Sequence, residues 1–286
     1  MRVVSLASSS SGNALLIEAG PQGRTKLLVD AGLNARQLIQ RLHSIGVRPE
    51  QLQGALVTHE HSDHVQGLPA LMKRYTLPVI TDPRTYQALQ ESITAGFWYT
   101  DTGNMRMIKE AAYEIDNGQS TTLSTSSLPV ATNGTIESLA IALPIGSQRL
   151  IGDIEVTSFP TSHDAVAPCG YLLRAGGCRV CIATDSGTAT PAMLEAFQHA
   201  DLLILEANHD RERLLRGPYP YSLKARILGP TGHLSNDQTA DVVLRTWRFD
   251  SIRWLWLAHL SRTNNTPMLA FDGVRLRLRE AGADLS

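Results

Sequence analysis

The chain has 286 residues, a formal net charge of −1 and 43% apolar residues, enough aliphatic content to bury a sizeable core in one large domain. The near-neutral balance excludes wholesale phosphate or anionic-membrane binding by bulk charge, so any polyanion has to be gripped locally. Its cysteines, Cys169, Cys178 and Cys181, are odd in number and widely set, which excludes a disulfide framework and fits a reducing compartment.

Val3 to Leu6, Ala14 to Glu18 and Lys26 to Asp30 read as short strands separated by Gly, Ser and Pro turns, predicting an antiparallel opening sheet. The apolar start, Met1 to Leu6, is too short for a signal peptide, and no run approaches the span of a bilayer, so a cytoplasmic protein with no membrane partner is expected. Ala35, Leu38, Ile39, Leu42 and Ile45 recur at helical spacing on one face, and Gly46 supplies the stop. Leu56-Val57 is the next strand. Leu68 to Tyr75 and Thr85 to Ala95 are helix-like on either side of a strand at Val79-Ile80, so strands and helices alternate here.

From about Gly96 to Gly152 the pattern breaks, with a Ser/Thr run from Ser120 to Ser127 and turn formers at Gly118, Asn133 and Gly134. This stretch, 96–152, reads as an insertion or flap in a single domain covering 1–286. Regular structure resumes at Ile154 to Phe159, and Gly170 to Arg174 with Arg179 to Thr184 predict a hairpin about Gly176-Gly177. Cys178 and Cys181 lie at an odd offset in that hairpin and face opposite sides, which favours core packing over chelation. Leu202 to Leu205 is a buried strand. Ser235 with Gln238 makes a capping box that opens a helix through Val242, Val243 and Trp247, placing His233 just before its N-terminus. Ile252 to Ala258 is the last apolar strand, and the twofold alternation suits a sandwich with mirrored halves.

The chemistry concentrates in Thr58-His59-Glu60-His61-Ser62-Asp63-His64, an HxHxDH string that opens off the apolar run Ala55-Leu56-Val57. Imidazole nitrogen and carboxylate oxygen suit borderline divalent ions, and a short turn lets neighbouring side chains address different ions. One ion would take His59 and His61, the other Asp63 and His64. Four further apolar strands end abruptly in a possible ligand, at His163-Asp164, Asp185, Glu206 and His259. His43, His199 and His209 fall outside this set. Asp30 reads either as a group that orients ligands or as a turn former before Gly32.

HxHxDH, a later His, a later Asp and a last His resemble the metallo-β-lactamase fold. More narrowly, Ser8-Ser9-Ser10-Ser11-Gly12-Asn13, Ser162-His163-Asp164-Ala165, Glu206-Ala207-Asn208-His209-Asp210, Gly217-Pro218-Tyr219-Pro220, Gly232-His233-Leu234-Ser235-Asn236 and His259-Leu260-Ser261 through Asn264-Asn265 are similar to its YycJ-like branch, which is related to ribonuclease Z. The match covers both halves of the chain. It implies an α/β architecture, a four-layer αββα sandwich, holding two divalent metal ions, Zn²⁺ or Mn²⁺ or else iron. By the resemblance His59, His61 and His163 take one ion, Asp63, His64 and His259 the other, and Asp185 bridges them. With only two aspartates as anionic ligands, surplus positive charge would lower the pKa of a bridging water towards ~7, giving a metal-bridging hydroxide as nucleophile.

Glu206 and His233 resemble the pair of ribonuclease Z in which the His protonates the leaving oxygen and the Glu holds it. His233, Glu206 and Asp63 are therefore the expected catalytic residues. Arg211, Arg213, Arg216, Lys224 and Arg226, with Tyr219 and Tyr221 interleaved, form a local basic strip suited to a sugar-phosphate chain. The resemblance implies a metal-dependent phosphodiesterase of the DNA exonuclease type, with nucleic acid as substrate and DNA favoured over RNA. Alternatives are ribonuclease Z-like tRNA processing, a small-molecule thioesterase or lactonase, and a metal-stabilised regulatory module that retains ligands without turnover.

Overall fold

Runs of β-branched and aliphatic residues interrupted by Gly and Pro build the first half of the chain as alternating short strands and helices. In this computed structural model residues 1–100, 105–107, 139–248 and 253–285 are described. The first half comprises β1 (Arg2–Ala7), β2 (Ala14–Ala19), β3 (Thr25–Val29), α1 (Ala35–Ser44), β4 (Gly54–Leu56), α2 (Ser62–Val65), α3 (Leu68–Tyr75), β5 (Val79–Thr81) and α4 (Pro83–Ala95). There follow β6 (Phe97–Tyr99), β7 (Met105–Met107), β8 (Ala140–Ala142), β9 (Gln148–Ile151), β10 (Ile154–Pro160), β11 (Cys169–Ala175), β12 (Cys178–Ala183) and α5 (Pro191–Gln198). The last part holds β13 (Leu202–Glu206), α6 (Arg211–Arg216), α7 (Tyr221–Ile227), α8 (Asn236–Arg245), β14 (Trp254–Ala258) and α9 (Pro267–Glu280).

Two six-stranded sheets result, ordered β1-β2-β3-β4-β5-β8 and β14-β13-β12-β11-β10-β9. Each is antiparallel on one side and parallel on the other, with β3, β4, β5 and β8 parallel in the first and β12, β13 and β14 parallel in the second. Three apolar clusters separate four layers. One joins Leu16, Leu28, Ala55 and Val79 of the first sheet to Leu38, Leu42, Leu68 and Leu71 of its helices. A second packs Ile17, Leu27, Val29 and Leu56 against Val156, Tyr171, Leu173 and Ile182 between the sheets. The third joins Leu172, Leu203 and Leu205 to Phe197, Val242, Val243 and Val274 on the outer helices. This is the αββα order that the resemblance implied, and each fully buried aliphatic or aromatic side chain contributes about 1.5–3 kcal/mol to it.

Local signals carry through. The α1 stripe buries Ala35, Leu38 and Leu42, with Asn34 accepting from the Gln37 amide as N-cap. The hairpin turns on Gly176 and Gly177, both at positive φ, and pairs Ala175 with Cys178. Cys181 is buried and Cys178 exposed, and both are free thiols. Regular structure is present before Ile154, since β6 pairs with β7, β8 with β5 and β9 with β10. Positions 101–104 and 108–138 of the expected insertion, its Ser/Thr run included, lie outside the described residues. No helix among the described residues is long and apolar enough to cross a membrane.

A polar clasp ties the start of β3 to the β9–β10 turn. Arg24 donates through Nε and Nη2 to the two carboxylate oxygens of Asp153 at 2.8 and 2.6 Å, and Thr25 Oγ1 donates to Oδ2 at 2.7 Å. The hydrogen bond from Arg24, then that from Thr25, pulls the Asp153 carboxyl down from 3.8 to about 2. A carboxyl depressed on folding stabilises the fold above its unfolded pKa, and that contribution fades as pH falls through the folded value. Asp153→Asn is therefore expected to lower the urea midpoint at pH 7, with wild-type and variant midpoints converging between pH ~4 and pH ~2. Midpoints that differ equally at every pH would contradict this.

Candidate metal centre

The parallel strands β3, β4, β12, β13 and β14, together with β10, end at one edge, and the chain meets a polar residue at or just past the end of each. Asp30 follows β3, Thr58 and His59 lie just past β4, Asp185 lies past β12, Glu206 ends β13 and His259 follows β14. Asp30, Asp185 and His259 hold φ of 59°, 59° and 54°, a left-handed conformation that costs a non-glycine residue free energy and concentrates at functional sites. The HEHSDH turn is pinned by backbone. Asn13 N donates to Asp63 O at 2.8 Å, Ala31 N to His64 O at 2.6 Å, and Cys169 N, from the other sheet, to Thr58 O at 3.1 Å. Tyr171 Oη donates to Val57 O at 2.6 Å from the same strand.

The buried Asp30 carboxylate accepts from Thr58 N at 2.9 Å and pairs with His64 Nδ1 at 2.8 Å. Both of its sequence readings therefore hold: it turns the chain, and it presents Nε2 of His64 to the site. Gly232 O lies 3.3 Å from His163 Nδ1 and does the same for that ring. Asn13 Nδ2 stands 3.2 Å from His64 Nε2, and His259 N donates to Ser8 Oγ at 2.9 Å, so the serine-rich loop between β1 and β2 touches both halves of the site.

His59, His61 and His163 bring ring nitrogens within 4.8 Å of one another, as do Asp63, His64 and His259 with one donor atom each. Asp185 reaches both groups: His64 Nε2 lies 3.1 Å from its Oδ2 and His259 Nε2 3.3 Å from its Oδ1, while His163 Nε2 is 4.0 Å away. All seven residues are buried. Yet His59 Nε2, Asp63 Oδ1 and both Asp185 oxygens form no hydrogen bond of acceptable geometry, and His61 Nδ1 faces His163 Nε2 at 3.2 Å. Buried polar atoms are ordinarily satisfied. Donors that crowd together at 3.2–3.3 Å while several of them stay unsatisfied fit divalent cations placed between them.

The electrostatics agree with such an occupant. Burial holds His59 well below the usual imidazole range, reinforced by His64 and His61. At His64 burial opposes the charge, but Asp185, Asp30 and Asp63 outweigh it and raise the pKa well above 6.5. At His259 burial is likewise overcome, by Asp185, Asp63 and Glu206, and the ring is pushed up to about 10. Burial would raise Asp63 and Asp185, but neighbouring imidazoles, led by His64 and His259 respectively, hold both well below the usual carboxylate range. Carboxylates that stay ionised are competent ligands, and protons on His64 and His259 are what a bound metal ion would displace.

Beside this cluster, His233 Nδ1 donates to Glu206 Oε1 at 2.6 Å and lines a cavity of about 200 Å³ with Asp63, Asn208 and Ser261. The expected basic strip is largely committed within the chain. Arg213 donates to Thr263 O, Lys224 to Leu215 O and Arg226 to Asp164, and Arg216 pairs with Glu212. His209, left outside the ligand set by sequence, is fully buried with neither ring nitrogen hydrogen-bonded. Burial pushes it down to about 4, with His233 and Arg211 adding to the effect and Glu206 opposing it. Its signal in the sequence was its place in the Glu206–Asp210 motif, which carries no spacing rule of its own.

Residues 25–248 match the family model of the beta-lactamase superfamily domain. The chain belongs to the beta-lactamase superfamily. Within it, the chain is 34% identical over 265 residues to exodeoxyribonuclease WalJ of Streptococcus pneumoniae, covering 93% of this chain and 83% of that protein. It is 32% identical over 281 residues to exodeoxyribonuclease YycJ of Bacillus anthracis, covering 97% and 89%. The crystal structure of the metallo-β-lactamase fold protein YhfI from Bacillus subtilis superposes with a TM-score of 0.63 at 16% identity, over 97% of this chain and 92% of that one. The superfamily fold and the His/Asp clusters together support use of divalent metal.

The histidine-rich turn packs so closely on Gly32 that no side chain fits there. A Cβ at Gly32 would lie 1.6 Å from Asp63 O and 2.6 Å from Asn13 N, both backbone atoms that cannot swing away. Gly32→Ala is expected to destabilise the fold by about 1–3 kcal/mol, as overpacking does, read as a lower urea midpoint. An unchanged midpoint would show that the turn has room.

Proposed function

We propose that this chain is a metal-dependent nuclease that cleaves phosphodiester bonds in DNA. The observation that carries the reading is the 2.6 Å pair of His233 and Glu206 in a cavity shared with Asp63, among overlapping groups of metal-type donors one of which includes the pair itself, in a superfamily member whose long matches are to proteins named exodeoxyribonucleases. Two divalent cations, Zn²⁺ or Mn²⁺, would be held by His59, His61 and His163 and by Asp63, His64 and His259, with Asp185 between the sets. Bound there, they supply Lewis acidity towards the phosphoryl oxygens and acidify a water.

The chain's own groups complete the reaction. An alkoxide departing from phosphorus needs a proton, and His233 is placed to deliver it. Because Nδ1 is engaged by Glu206, delivery falls to Nε2, the ring nitrogen left to face a leaving oxygen. Glu206 also receives His259 Nδ1 at 2.9 Å, so one carboxylate orients both the proposed acid and a proposed ligand. Asp30 and Gly232 O hold His64 and His163 by their other nitrogens. A thioester loses a thiolate, a better leaving group than an alkoxide, and needs no such acid, which favours the phosphodiester reading over a thioesterase.

The test is elemental analysis of protein purified without added metal, followed by assays on labelled single- and double-stranded DNA with each candidate ion. Two equivalents of metal, cleavage of DNA and its loss on chelation are expected. Two bound equivalents with no cleavage of any nucleic acid would overturn the reading. His233→Ala is expected to lower kcat on DNA by roughly 10²- to 10⁴-fold, the usual worth of a general acid, with metal content unchanged. Full activity in that variant would remove His233 from the acid's role.

A further inference from the structure

The cavity beside His233 is lined, besides Asp63, Thr100 and Asn208, by two unlike groups of side chains. Ser10 and Ser11 of the β1–β2 loop, with Ser62 and Ser261, contribute hydroxyls, whereas Tyr219, Leu223 and Ile227 from the α6–α7 segment contribute an aromatic ring and aliphatic carbon. No lysine or arginine among the described residues lines it. A site for inorganic phosphate alone would call for cations and have no use for the aromatic side. Hydroxyls together with an aromatic surface suit a ligand that is itself half polar and half π-faced. At about 200 Å³ the cavity lies below the roughly 300–1,000 Å³ of drug-sized sites, which fits one such unit rather than a longer segment.

Tyr219 is held for the task. It lies between Pro218 and Pro220, and a residue that precedes proline is confined to extended backbone. The segment is anchored at Gly217, where a Cβ would stand 2.8 Å from Arg213 O and 2.9 Å from Asn264 Oδ1, and at Asp210 N, which donates to Asn264 O at 2.9 Å. Restraint of the backbone that carries the ring reduces the entropy lost on binding. Tyr221, two residues on, is 87% exposed and does not line the cavity, so the two tyrosines of the basic strip are not equivalent.

We infer that this cavity is a subsite for a single nucleoside, with its base stacked on Tyr219 and its sugar-phosphate towards the serine hydroxyls. The inference rests on the nuclease reading for one point only: since His233 lines the same cavity, the nucleoside seated there is the one whose oxygen leaves. Stacking of a base on an aromatic side chain is worth ~1–3 kcal/mol, or roughly 5- to 150-fold in affinity.

The experiment is isothermal titration calorimetry of the metal-loaded protein with deoxyadenosine 5′-monophosphate and with 2-deoxyribose 5-phosphate, which lacks only the base. Wild type is expected to bind the nucleotide at least about fivefold more tightly than the sugar phosphate. Tyr219→Ala should bring the ratio close to one, and Tyr219→Phe should retain it. Equal affinities in wild type, or a preference that survives in Tyr219→Ala, overturn the subsite. Because no polymer is used, a protein that fails to cleave DNA but shows the Tyr219-dependent preference sinks the nuclease reading and keeps this one.

Discussion

Glu206 is the interaction on which the site is built. Its carboxylate is fully buried and accepts from His233 Nδ1, His259 Nδ1, Ser186 N and Leu234 N, at 2.6, 2.9, 2.9 and 3.2 Å. An unpaired carboxylate in such a place costs several kcal/mol, and full bonding is what offsets it. The four donors come from the end of β12, the approach to α8 and the end of β14, so satisfying one charge brings three separate stretches of chain together. Its own position follows from the parallel ladder that pairs Ala183 with Leu205 and Glu206 with Ala258. A slip of one residue would turn the carboxylate to the opposite face.

The first sheet answers with a matching device. Asp30 leaves β3 in a left-handed turn and accepts from Thr58 and His64, as Asp185 and His259 leave β12 and β14 in the same conformation. Non-glycine residues persist there only when the surroundings over-determine them. Backbone bonds from Asn13, Ala31 and Cys169 to the histidine turn supply that determination. Cys169 and Tyr171 come from the opposite sheet, so whether His163 and His259 reach the donors of the histidine turn is set by how the sheets pack, through the apolar cluster between them.

Charge is handled differently on the two sides of the cavity. Towards the donor clusters, buried imidazoles and carboxylates shift one another's proton affinities strongly. Towards the α6–α7 segment, the arginines and lysine that looked available are mostly engaged with carbonyls and carboxylates of the chain, and the lining is hydroxyl, aromatic and aliphatic. Positive charge for a phosphodiester is thus concentrated at the proposed metal site, which fits a protein whose net charge is −1.

Much of what was encoded over a few neighbouring residues was legible in the chain itself, although the helices Pro191–Gln198 and Pro267–Glu280 were not read from it. The α1 stripe with its Asn34 cap, the Gly176-Gly177 hairpin, the Ser235–Gln238 capping box and the clustered donors of His59 to His64 all depend on local geometry, which spacing reports directly. The αββα order and the wider ligand set became readable only through resemblance. Strands β8 and β9 were not visible, because three- and four-residue strands with largely exposed side chains show no alternation and exist only through their partners. Which basic residues are spoken for, which of two tyrosines faces the cavity, and that His209 is buried were likewise decided by tertiary packing. Residue type and spacing determine what a side chain can bind, but only the approach of distant strand ends decides what it meets, because that depends on sheet register and on the burial of apolar faces far from the site.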